Sequence, residues 1–111
     1  IIKPHKIEGI GDDFIPALVD KNEIDKIFLV NDEDSINMAR KIARDLGIGV
    51  GISSGANFLG SVLLQTQIKL PVATVFADDN KKYLSTDLGK DIDQNEKYIS
   101  NQVKLLGYEV I

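Results

Sequence analysis

Short unbroken apolar runs alternate along this chain with longer stretches whose apolar positions fall three and four apart. Lys26-Ile27-Phe28-Leu29-Val30 is such a run, the pattern of a strand covered on both faces. Residues 48–52 and Val72-Ala73-Thr74-Val75-Phe76 repeat it, giving three predicted strands. Between the first two, Ile36, Ala39, Ile42, Ala43 and Leu46 recur at helical spacing. Asn31 is placed to cap that helix, Asp32, Glu33 and Asp34 complement its dipole, and Gly47 is placed to stop it. Arg40 and Arg44 read as its solvated face. A second helix follows Ser53, with Phe58, Leu59, Val62 and Leu63 on its apolar stripe. Its small residues Gly55, Ala56, Gly60 and Ser61 predict close packing against a sheet. A third helix is expected from Gln94 to Leu106, with Ile99, Val103 and Leu106 as its apolar row and Gly107 as its end. Residues 4–16 read as an irregular loop, and 17–25 as a mixed connection with room for one helical turn.

Strands alternating with helices predict an α/β fold: three layers, with a mainly parallel sheet flanked by helices. Three strands are few for such a sheet. The expected reading of residues 1–111 is therefore a portion of a larger α/β domain, and the absence of a starting Met adds to that expectation.

Composition narrows the chemistry. The 111 residues include no Cys and a single His, His5. Thiol catalysis, disulfides and a histidine-rich metal centre are excluded, and no metal site is expected. A net charge of −4 argues against nucleic acid as a main partner. No apolar run reaches the roughly 18 residues of a membrane span.

The stretch from Gly49 to Asn57 carries the main candidate chemistry. A β-branched run meets Ser53 and Ser54 and then turns into a helix. Backbone N–H groups at such an end have no partner within the helix, and the dipole adds positive charge. Ser53 can cap the helix or face a ligand there, and the pattern alone favours the cap. Gly9 and Gly11 allow close approach to a ligand, but Gly-x-Gly without a third glycine is a weak dinucleotide signal and is rejected. The acidic group 32–34 reads as capping. Asp78 and Asp79 lie at the C-terminal end of the last expected strand, where open α/β sheets bind ligands.

Three segments, in order and in register, resemble the C-terminal part of the cysteine synthase (O-acetylserine sulfhydrylase) family. These are fold type II, or tryptophan-synthase-β-like, pyridoxal-phosphate enzymes. The segments are His5-Lys6-Ile7-Glu8-Gly9-Ile10-Gly11 with Phe14-Ile15-Pro16, then Gly51-Ile52-Ser53-Ser54-Gly55-Ala56, then Tyr83-Leu84-Ser85-Thr86. The resemblance covers about residues 4–88, and 89–111 falls outside it. It implies pyridoxal 5′-phosphate as cofactor in the complete enzyme, with Ser53 on its pyridine nitrogen. Gly9, Ile10 and Gly11 are implied at the active-site entrance, and Asp78 and Asp79 near the ring. A neutral hydroxyl at the ring nitrogen does not hold it protonated, which suits prompt elimination of a leaving group more than a long-lived carbanion.

The implied activity is exchange of the acetoxy group of O-acetylserine for sulfide, giving cysteine and acetate. The implied partners are an amino-acid substrate, the remaining N-terminal portion of the enzyme and a second copy in a cytoplasmic homodimer. Asp12-Asp13 stands where cysteine synthases often have Ala-Gly, which is closer to cystathionine β-synthase relatives. The family's cofactor lysine, asparagine loop and phosphate loop match no segment of this chain, so no catalytic residue is assigned and the chain alone is expected to be inactive. A catalytically silent binding or assembly domain is the alternative of another class.

Overall fold

A computed structural model of the protein describes residues 21–81 and 97–110. The Gly9-Ile10-Gly11 loop, the Tyr83–Thr86 motif and residues 94–96 of the expected third helix lie outside the described residues.

Two helices form the centre. α1 spans Asp32–Leu46 and α2 spans Ile52–Ile68. Asn31 starts α1 as expected: its Oδ1 accepts from the N–H of Glu33 at 2.7 Å and of Asp34 at 3.3 Å. Gly47 ends it in the left-handed region, φ 69°, with its N–H on the Ala43 carbonyl. The expected turn in the 17–25 connection is present as a 3-10 turn at Lys21–Glu23.

The helices meet through Gly55. A Cβ there would lie 2.1 Å from the Ser35 carbonyl oxygen and 3.1 Å from the Ala39 amide. The small residue at this position therefore serves helix-to-helix approach and not contact with a sheet. Gly60, expected to do the same, has open space beside it. Ile36, Met38, Ala39, Ile42, Val50, Ile52 and Leu59 form the buried core. Met38 lies off the predicted stripe and is still fully buried, because the first turns of α1 are enclosed on more than one side. Arg44 is exposed as expected, whereas Arg40 is half-buried.

Two expectations are corrected. The segments 26–30, 48–51 and 72–76 carry no strand pattern, so the predicted parallel sheet is not formed among the described residues. A continuous apolar run favours strand backbone but does not supply the neighbour that a ladder needs. Ile27 and Leu29 are accordingly 74% and 92% exposed. Residues 72–76 are held to α2 in another way, by Asn57 Nδ2 donating to the Val75 carbonyl at 3.0 Å and by the Phe58 and Phe76 rings at 6.3 Å.

The third helix is also absent among the described residues. A single 3-10 turn, Ile99–Gln102, stands in its place, between extended Tyr98 and Val103. The cause lies on α1. The Asp34 carboxylate accepts from the N–H of Ile99 at 2.8 Å and of Ser100 at 2.9 Å. Asn37 Nδ2 donates to Ser100 Oγ at 2.9 Å and Asn101 Oδ1 at 3.1 Å. Lys41 Nζ donates to the carbonyls of Ser100 and Val103. Side chains of α1 thus claim backbone groups that a continuing helix would pair within itself. Ile99 and Val103 pack on the core as predicted, while Leu106 is 87% exposed.

Candidate functional site

The N-terminal turn of α2 and the loop 77–80 build the site together. Gly51 is the N-cap residue of α2, with φ −80° and ψ 177°, and no side chain caps this helix. Ser53 and Ser54 stand inside the first turn. The capping role that the pattern favoured is therefore filled by neither serine.

Both serines turn instead to Asp78. Ser53 Oγ donates to Asp78 Oδ1 at 3.2 Å, and Ser54 Oγ to the Asp78 carbonyl at 3.4 Å. The Gly51 N–H donates to the same carbonyl at 3.1 Å. The approach is close: a Cβ on Gly51 would sit 2.2 Å from Asp78 Oδ1, so the carboxylate would have to swing aside. At Gly49 a Cβ would lie 2.7 Å from Asn80 Oδ1. The two glycines thus let a polar loop lie directly on the entry to the helix. Ser54 is fully buried and Ser53 half-buried, so of the two only the Ser53 hydroxyl borders the outside.

Of the residues singled out from the sequence, Ser53 and Asp78 come together. Asp79 does not join them; its Oδ1 accepts from the Lys81 N–H at 3.0 Å and closes its own turn. Gly9, Ile10 and Gly11 fall outside the described residues. Gly51 also belongs to the site, and a glycine just before a serine-led helix is the sequence signal for such a close approach. Among the described residues no group of three or more His, Cys, Asp or Glu side chains is arranged to hold a metal ion. No described helix is long and apolar enough to cross a membrane.

A second concavity, an open groove of about 590 Å³, lies between Ile24–Phe28, α2 and Val72–Thr74. Ser53 and Asp78 do not line it.

Chemically, a half-buried neutral hydroxyl stands at the positive end of a helix with a carboxylate on its hydrogen. It has lone pairs left for a further polar group and no proton it gives up near neutral pH. The hydroxyl can serve a ligand's polar group as acceptor through its lone pairs, or as donor if its hydrogen turns away from Asp78.

No family model matches the chain. It is 47% identical to cysteine synthase B of Campylobacter jejuni over 85 residues, 76% of this chain and 28% of that protein. It is 37% identical to cysteine synthase A of Escherichia coli K12 over 92 residues, 80% of this chain and 28% of that protein. Among solved structures it is similar to a hydrogen sulfide-producing enzyme, a mutant in complex with an alpha-aminoacrylate intermediate. The TM-score is 0.77 and the identity 49%, over 88% of this chain and 30% of that one. The chain spans less than a third of the length of these proteins.

Proposed function

We propose that this chain, which belongs to the cysteine synthase family over the stretch shared with those relatives, supplies the pyridine-nitrogen wall of a pyridoxal-phosphate site. Residues 1–111 are then the C-terminal portion of one enzyme domain. The whole protein replaces the acetoxy group of O-acetylserine with sulfide, as a cytoplasmic homodimer. The observation that carries the reading is the Ser53 hydroxyl, half-buried in the first turn of α2, free of capping duty and in register with the family's serine motif.

Pyridoxal phosphate, when bound, draws electrons from the amino-acid carbon next to its amine, and the protein tunes that pull at the ring nitrogen. Ser53 meets that nitrogen with a hydrogen bond. Gly51 keeps the backbone close enough for the 77–80 loop to wall the same edge. Asp79, held in its own turn, shapes the loop and does not reach the hydroxyl. Gly9, Ile10 and Gly11 form the entrance that admits the amino acid.

The test has two arms. The 111-residue chain mixed with pyridoxal phosphate, O-acetylserine and sulfide should form no cysteine; saturable turnover would refute the assignment of the remaining machinery to other parts of the protein. In the complete protein, Ser53→Ala should weaken cofactor retention or slow cysteine formation. A variant that melts lower but keeps both properties would reduce Ser53 to a structural residue.

A further inference from the structure

We infer that Asp78 is a built-in competitor for the Ser53 hydrogen: in the empty site its carboxylate takes that hydrogen, and the cofactor's ring nitrogen has to win it back. Asp78 thereby loosens the hold on the cofactor, acting through Ser53. The inference rests on the proposed role of Ser53 and adds what that role must displace.

A serine hydroxyl has one hydrogen to give. A carboxylate only accepts, so in the 3.2 Å contact between Ser53 Oγ and Asp78 Oδ1 the hydroxyl donates. A ring nitrogen that a neutral hydroxyl leaves unprotonated also only accepts. Two acceptors, one charged and one neutral, then face a single hydrogen. Bonds to a charged partner are the stronger kind, and the carboxylate is the one already engaged. The Ser53 hydrogen reaches the nitrogen only by turning away from Asp78.

The surroundings hold the carboxylate in place and also let it leave. The Asp78 carbonyl receives the Gly51 N–H at 3.1 Å and the Ser54 hydroxyl at 3.4 Å, which fixes the backbone at residue 78 whatever its side chain does. α2 has no acidic residue in its first turn and no side-chain cap, so its N-terminus favours the negative charge that Asp78 brings. Against this, Asp78 is exposed, and its carboxylate has solvent to swing into. The 3.2 Å contact is also long for a charge-assisted bond. Asp79, one residue along, is turned toward the Lys81 amide and is no second competitor.

The experiment uses the complete protein stripped of cofactor. Its affinity is measured for pyridoxal phosphate and for the 1-deaza analogue, in which a C–H replaces the ring nitrogen. The ratio of the two reads the bond at that atom. Ser53→Ala, which offers neither acceptor a hydroxyl, sets the reference ratio. The parent should stand only about two- to threefold above it, because the bond gained at the nitrogen is offset by the bond lost at Asp78. Asp78→Ala removes the competitor and keeps the backbone contacts of residue 78. It should stand about five- to tenfold above the reference, the worth of one hydrogen bond. Asp78→Asn keeps a neutral, weaker acceptor and should fall between the parent and Asp78→Ala; it is the readout if Asp78→Ala does not fold. With Ser53→Ala and Asp78→Ala combined, the ratio should return to within about twofold of the reference.

If the Asp78 variants leave the ratio at its parental value while Ser53→Ala lowers it, Asp78 does not compete and the inference falls with Ser53 keeping its role. If Asp78→Ala raises the ratio equally with and without the Ser53 hydroxyl, and Ser53→Ala still lowers it, the carboxylate acts by its charge alone and the inference falls as well. If Ser53→Ala leaves the ratio unchanged whether or not Asp78 is present, the Ser53 reading falls first and the inference goes with it.

Discussion

At the scale of single residues, the glycines at 51 and 55 do opposite kinds of work. Gly51 makes room for a side chain, the Asp78 carboxylate, whereas Gly55 makes room for backbone, the Ser35 carbonyl at 2.1 Å from where a Cβ would be. A side chain can swing away; the backbone of a buried helix cannot. Gly55→Ala is expected to destabilise the fold by about 1–3 kcal/mol through overpacking, more than its gain in helix propensity returns. Denaturant unfolding of the variant checks this, and a stability equal to the parent's would show that the helices slide apart at little cost. Ser53 and Asp78 were legible as separate residues in the sequence, but their contact was not. Twenty-five positions separate them, and the Gly51 N–H and Ser54 hydroxyl on the Asp78 carbonyl hold the two segments together.

At the scale of elements, α1 was readable from end to end. Its start, its three acidic first-turn residues, its stop and most of its apolar stripe are local features that act within one or two turns. The strands were not readable, since a ladder is a property of two segments and the pattern of one segment does not name its partner. The third helix failed for a related reason. Ile99, Val103 and Leu106 fall at helical spacing, but Asp34, Asn37 and Lys41 compete for the backbone and side-chain groups of the segment. Those three α1 residues stand at helical spacing themselves, and of them the sequence reading covers only Asp34, as part of the capping acidic group. Asp34→Asn replaces an acceptor oxygen with an NH₂ group facing an amide N–H. It should cost about 2–3 kcal/mol by breaking one charge-assisted bond and leaving a buried donor unpaired. Amide exchange at Ile99 and Ser100 is the direct readout, and unchanged protection there would remove Asp34 from the account of this turn.

At the scale of the whole molecule, the apolar residues outside the core matter most. Ile27, Leu29, Leu70, Val75, Leu106 and Val110 are each at least 60% exposed. So much uncovered hydrophobic surface on a small chain favours association. The isolated chain should sediment as more than a monomer or bind a dye that reports apolar surface, and a sharp monomeric boundary without dye binding would show the opposite. The contacts between α1 and Ile99–Val103 bear on a different event, the order in which the chain is made. Asp34 and Ile99 are 65 positions apart, and closing a loop of that length costs about 4 kcal/mol in chain entropy. During synthesis α1 leaves the ribosome long before the segment that docks on it. A face waiting that long would be a hazard if it were oily. Asp34, Asn37 and Lys41 make it a face that water can occupy until its partner arrives, so the last docking step exchanges hydrogen bonds with water for hydrogen bonds within the chain.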